Sequence, residues 1–378
     1  MMYSKILVFC FLVASLQIAA ISAKKVVCYY GSWSVYRPGD GSCKVEDIDP
    51  FLCTHAIYAF VGIDQTGSIK ILDPSNDVDN GGFRRFNAMK SKNPNLKTLL
   101  AVGGWNEGSE NYSKMAGNPS LRTNFIISAI NLMNQYGFDG FDIDWEYPAQ
   151  RGGVPEDKVN FVTLIREFRQ ALGNGRVLSI AAGATPSHIV SSYDVSALTH
   201  DLDFINVMTY DLHASWDGVT GANAPLFSSS GVSVSQCIDA WIASGAPSSK
   251  LVMGIPVYGR TYTLANSQVN GIGVPAPHPG TPGPFTQEEG TIGYNEICLQ
   301  LLTGQWVVVW DDAQKIPYAY KENQWVSYDE QRSVGVKVQY IKQRDLGGAM
   351  IWSIDTDDFR GTCGTKYPIL TTIKNGLI

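Results

Sequence analysis

Charge is scarce in this sequence, at 17% of residues, and the basic side chains are outnumbered: 29 Lys and Arg stand against 35 Asp and Glu, a net charge of −6. A mildly acidic chain is poorly suited to nucleic acid or an anionic membrane surface, so neither is expected as a partner. Beyond the N-terminus, no apolar run approaches the roughly 20 residues that a membrane-spanning helix needs. Seven cysteines are too few for a disulfide scaffold, and a chain of this length can stand on its own core. The one dense acidic run lacks the ligand spacing and mid-loop glycine of a calcium loop, and no phosphate-cradling loop accompanies it. No metal or organic cofactor is expected, and a monomer is.

Residues 1–23 carry one early cation, Lys5, then an apolar run from Ile6, then the small residues Ser22 and Ala23. That pattern predicts a secretory signal peptide, a mature chain beginning near Lys24, and an extracellular location. Cys10 leaves with the leader. Cys28, Cys43, Cys53, Cys237, Cys298 and Cys363 remain, an even number that suggests disulfides without giving their pairing.

The acidic run is Asp139-Gly-Phe-Asp-Ile-Asp-Trp-Glu146. Phe141, Ile143 and Trp145 alternate with Asp142, Asp144 and Glu146, the period of a strand with carboxylates on one face and apolar groups on the other. A helix would set Asp142 and Asp144 about 200° apart and break the apolar stripe. A solvated loop would not interleave its acids with large apolar residues, and a divalent-ion site is the sharper competitor. Close, desolvated carboxylates raise one another's pKa and keep one acid protonated near neutrality. Glu146, at the C-terminal end of the run, stands where a barrel enzyme holds its general acid. Asp139, of opposite parity, reads as structural.

Apolar strands are expected at 26–30, 55–62, 97–103, 140–146, 177–182, 204–210, 251–258 and 348–354, with helices at 81–92, 121–136, 156–172, 234–243 and 368–374. Pro155 and Pro368 are placed to start helices. Eight such strands separated by helices predict an α/β fold, a closed (β/α)8 barrel over 24–378. Residues 260–346 are too long for a barrel loop and hold short strands at 306–310, 317–320 and 324–328. They predict an α+β insertion between the seventh and eighth strands, walling one side of a groove.

Aromatic residues recur at the strand ends: Tyr29, Trp33, Phe60, Trp105, Tyr210, Trp216, Tyr258 and Trp352. Singly they read as core; beside small or polar neighbours at a barrel mouth they read as stacking surfaces for sugar rings. In 204–211, Asn206, Met208 and Tyr210 share the inward face, with Asp211 at the rim.

The run from Asp139 to Glu146 resembles the Asp-x-x-Asp-x-Asp-x-Glu signature of family-18 glycoside hydrolases, the chitinases and chitinase-like lectins. Val27-Cys-Tyr-Tyr30, Thr54-His-Ala-Ile-Tyr-Ala-Phe60, Leu100-Ala-Val-Gly-Gly-Trp105, Met208-Thr-Tyr-Asp211, Gly254-Ile-Pro-Val-Tyr-Gly-Arg260 and Gly347-Gly-Ala-Met-Ile-Trp352 are similar to further family motifs. The resemblance is greatest to secreted animal chitinases with the α+β insertion. It implies a retaining, substrate-assisted endo-chitinase acting on β-1,4-linked N-acetylglucosamine in chitin and chitooligosaccharides, the other reading being a non-hydrolytic lectin or secreted signalling protein. It also implies roles: Glu146 as acid then base, Asp144 and Asp142 as a coupled pair, Tyr210 as donor to the substrate acetamide, and Trp352 as the sugar floor. Tyr29, Trp33, Phe60, Gly104, Trp105, Met208, Asp211, Trp216, Tyr258 and Arg260 would line neighbouring sugar sites. Cys28–Cys53 and Cys298–Cys363 would pair by the same analogy, with Cys43 and Cys237 open. Asn111-Tyr-Ser113 is a glycosylation sequon if exposed. Many secreted relatives carry a linker and a small chitin-binding module that this sequence does not show before Ile378, so weak action on crystalline chitin is expected.

Overall fold

The computed structural model describes residues 23–229 and 231–378; the expected leader, but for Ala23, lies outside the described residues. Eight parallel strands close on themselves: β1 (Lys25–Gly31), β2 (His55–Ile63), β3 (Lys97–Gly103), β4 (Gly140–Asp144), β5 (Val177–Gly183), β6 (Phe204–Met208), β7 (Leu251–Pro256) and β8 (Gly348–Trp352). Each pairs with its sequence neighbour, and β8 pairs back onto β1. The fold is the expected (β/α)8 barrel with an α+β insertion between its last two strands.

Alternation along the strands divides the core in two. Val26, Cys28 and Tyr30 of β1, with Phe141 and Ile143 of β4, point out to the helix layer. Val27, Tyr29, Ile57, Leu99 and Met350 point into the barrel. Each large apolar side chain so buried contributes about 1.5–3 kcal/mol. The outward half of β4 therefore holds the strand in place while its inward half presents Asp142 and Asp144.

The helices cover the outside. Helix Pro119–Tyr136 is started by Asn118, whose side chain accepts from Ser120 N and Leu121 N, with Pro119 in the first turn. Pro155 does not start its helix. That helix runs Asp157–Leu172, with Pro155 and Glu156 in the turn before it.

The insertion sheet begins at once after β7. Strand Tyr258–Thr263 pairs antiparallel with Gln324–Ser327, which continues through Ile316–Lys321 to Val307–Asp311. Tyr258 thus belongs to the insertion sheet and not to β7. Cys28 is bonded to Cys53 and Cys298 to Cys363, while Cys43 and Cys237 are buried free thiols. Among the described residues, no helix is long and apolar enough to cross a membrane.

Candidate active site

Register brings the polar interior together. Asp142 lies beside Ser179 across the β4–β5 ladder, and Ser179 Oγ donates to Asp142 Oδ1 at 2.5 Å. Tyr29 Oη donates to Asp142 Oδ2 at 2.7 Å, and Asn206 Nδ2 to Oδ1 at 3.3 Å. Burial still pushes the Asp142 carboxyl up to about 6, against those three hydrogen bonds.

Asp144, one turn of the pleat closer to the mouth, is also buried, and its Oδ1 has no hydrogen-bond partner. Desolvation, then the charges of Glu146 and Asp142, hold its carboxyl well above the usual range. A buried carboxylate oxygen with nothing to bond is costly when charged, so burial favours the neutral form of Asp144 and leaves Oδ1 open to a polar group brought by a ligand.

Glu146 projects from the rim two residues past the end of β4, half-buried. Desolvation raises it to about 7, opposed by a hydrogen bond from Tyr147 and the charge of Arg151. The rim can close up here because β3 ends in glycine. A Cβ on Gly103 would lie 2.0 Å from the Asp144 carbonyl oxygen, and Gly104 N donates to that same oxygen at 2.9 Å.

Aromatic rings floor one flank. Trp352 stacks on Phe60 at 5.7 Å between centroids, Trp33 lies 6.0 Å from Phe60 and 6.1 Å from Trp352. The turn after β1, the body of β2 and the end of β8 thus supply one apolar platform. On another flank, Arg260 grips Asp211 through Nε at 2.8 Å and Nη2 at 2.7 Å. Tyr258 Oη donates to the same carboxylate at 2.6 Å, and Trp216 lies under the guanidinium at 5.2 Å. Tyr210, its hydroxyl 3.9 Å from Met350 Sδ, reaches over the barrel interior beside the half-buried Met208. Trp105 and Trp216 stand out at the mouth, 59% and 66% exposed.

The sequence pattern of Glycosyl hydrolases family 18 matches residues 25–357. The chain belongs to that family. Endochitinase of Manduca sexta is 42% identical over 368 residues, 92% of this chain and 66% of that protein, so this chain spans about two thirds of the relative's length. The Group IV chitinase of Ostrinia furnacalis superposes with a TM-score of 0.92 at 46% identity, over 94% of this chain and 99% of that one. A structure of the Ostrinia Group IV chitinase with allosamidin gives 0.91 at 47% identity, over 93% and 98%. Human YKL-39, described as a pseudo-chitinase with retained chitooligosaccharide binding, gives 0.87 at 39% identity, over 94% and 100%.

Against the family expectation, Tyr29 stands apart. It is 1% exposed and lies 5.4 Å beneath Trp352, so it braces Asp142 and the floor from below and presents no face to the groove. Asn111 lies in the first turn of helix Glu110–Gly117, half-buried, its amide within 3.5 Å of the Ile63 carbonyl. A glycan there would have to displace that contact.

Tyr147, Ser179 and Arg151, all at the candidate site, escaped the sequence reading. Ser179 left a trace, as the lone hydroxyl in the apolar run of β5. Arg151 left none, since nothing local distinguishes an arginine in a glycine-containing loop from a solvated one.

Proposed function

We propose that this family-18 protein is a secreted endo-chitinase, cleaving β-1,4 N-acetylglucosamine linkages with retention of configuration. The observation that carries the reading is Asp144: buried, raised, unpaired at Oδ1, and set between hydrogen-bonded Asp142 and Glu146, whose carboxyl is raised to about 7. In this reading Glu146 gives its proton to the glycosidic oxygen as the bond to the anomeric carbon breaks. The carbonyl oxygen of the sugar's own 2-acetamido group attacks that carbon, forming an oxazolinium ion. Asp144 accepts the acetamido N–H and offsets the positive charge, sharing a proton with Asp142 so that the pair titrates as one unit. Tyr210 donates to the acetamido oxygen, and Trp352, with Phe60 and Trp33, carries the sugar faces. Glu146 then takes a proton from the water that opens the ring, restoring the acid. Gly104, Trp105, Met208, Asp211, Trp216, Tyr258 and Arg260 line the adjoining sugar sites. Residues 1–23 direct export, in keeping with two disulfides that persist in an oxidising compartment, and the enzyme works as a monomer.

The test is a time course on the soluble N-acetylglucosamine hexamer with the anomer of the first products recorded by NMR. Short products appearing first as the β-anomer are expected. Release of α-anomer would remove the substrate-assisted mechanism, and tight binding with no new reducing ends would make the protein a lectin.

The pH profile follows from the same groups. Because the pKa of Glu146 is raised to about 7, the acid is protonated below that pH and lost above it. The value of kcat/KM should fall about tenfold per unit on the alkaline side of 7. An acid limb should appear where the Asp142 and Asp144 pair becomes doubly protonated, with Asp142 at about 6. A rate constant from pH 5 to 9 would show that proton transfer from Glu146 does not limit the reaction.

A further inference from the structure

The proposed reaction leaves one charged residue at the site without a role. Arg151 stands exposed in the loop after the acid, with a left-handed backbone at φ 51°. Its guanidinium carbon lies 3.5 Å from the centre of the Trp105 ring, and its Nη1 donates to the carbonyl oxygen of Glu146 at 3.0 Å. One side chain therefore ties the Trp105 indole to the backbone of the acid. Trp105 remains 59% exposed with the guanidinium pressed against it. A ring covered on one face is that open only when its other face is free. No ring of the Trp33, Phe60 and Trp352 platform touches it, so it offers a second, separate stacking surface.

We propose that Arg151 is a positioning residue for the leaving-group side of the groove: it holds Trp105 upright so that the free face of the indole receives the sugar beyond the scissile bond. This rests on the hydrolase reading above, with the platform of Trp352 holding the sugar on the other side of that bond. An exposed indole without a neighbour turns about two side-chain torsions, and a sugar that stacks on it must first halt that motion. With Arg151 in place the motion is already restrained, and a guanidinium on an exposed ring is worth roughly two- to fivefold in an equilibrium. The hydrogen bond to Glu146 O fixes the spacing between platform and acid, which a charge alone would not do.

The experiment compares Arg151→Ala and Arg151→Lys with wild type on two substrates: the N-acetylglucosamine tetramer, whose leaving group is a sugar, and an aryl glycoside of the dimer, whose leaving group is not. The Ala variant is expected to raise KM for the tetramer by about three- to tenfold and to leave the aryl glycoside within about twofold. Lysine should keep the charge near Glu146, and with it the pH profile, yet recover only part of the tetramer KM. In a Trp105→Ala background the Arg151→Ala effect should vanish, because the brace then has nothing to hold. Equal losses on both substrates with a displaced pH profile would overturn the proposal, since Arg151 would then act through its charge on Glu146. Additive effects of the two substitutions, or no change on the tetramer, would overturn it as well. If wild type cleaves neither substrate, the hydrolase reading fails on its own account. The proposal is then read from tetramer affinity by calorimetry, which Arg151→Ala must lower only when Trp105 is present.

Discussion

Glu146→Gln is expected to lower turnover of the N-acetylglucosamine hexamer by about 10²–10⁴-fold, the usual worth of a positioned proton donor, while hexamer affinity changes little. Glutamine has the shape of the acid and keeps its place at the rim, but it has no acidic proton to give. Above about pH 7, where Glu146 is ionised, the substitution also removes one of the two charges that, after desolvation, hold Asp144 above its ordinary range. Asp144 should therefore ionise more readily in the variant, and bind the acetamido N–H no worse. Parallel measurements of hexamer turnover and of binding by calorimetry check both halves. Unchanged turnover would strip Glu146 of its role. Equal binding without cleavage in variant and wild type would place the protein with family members such as YKL-39, described as retaining chitooligosaccharide binding as a pseudo-chitinase.

The order of events at this site is legible in the chain because the barrel repeats one physical device. Each strand is a short, mostly apolar run set off by helices, so position along the sequence gives position around the barrel, and in β4 the alternation of acids with apolar residues gives inside or outside. That is why the sequence alone sets Asp142 and Asp144 on one inward face. Strand ends were less visible. The alternation at 140–146 and 204–210 continues past the last ladder hydrogen bond, whereas β4 stops at Asp144 and β6 at Met208. Glu146 and Tyr210 therefore stand on rim loops, free to take directions that a strand would forbid.

Helices Glu110–Gly117 and Tyr294–Leu302 were not expected, and three other missed helices have local signals that point elsewhere. Helix Gln331–Gln343 interleaves Val334, Val336 and Val338 with polar residues and holds Gly335, a pattern closer to a strand. Helices Pro186–Ser192 and Val195–Asp201 are seven residues each, too short for a helical period to emerge. Contacts between distant segments left no trace at all. Asp211 with Arg260, and Arg151 with Trp105, meet only because neighbouring strands deliver their loops to the same mouth.

A contact within one short segment carries the largest stability effect expected in the protein. Lys337 Nζ lies 2.6 Å from Asp329 Oδ2, with both side chains wholly buried, and Ser333 Oγ donates to the other carboxylate oxygen at 2.7 Å. The pair joins helix Gln331–Gln343 to the turn that leaves the insertion sheet, directly before β8. Burial lowers the pKa of the lysine ammonium, and Asp329 opposes the shift, so neither charge is comfortable without the other. Lys337→Ala should therefore cost about 3–5 kcal/mol, because it strands a carboxylate in the core with only Ser333 for company. Replacing both partners by apolar residues of similar volume, Lys337→Met with Asp329→Leu, should restore most of that loss, since the desolvation penalty goes with the charges. Urea unfolding of the two variants beside wild type decides the matter. If the single variant unfolded within about 1 kcal/mol of wild type, water would have to reach Asp329 in the variant. If the double variant were as unstable as the single one, the pair would be needed for its hydrogen-bond geometry to Ser333 and the helix start, and not merely for mutual neutralisation.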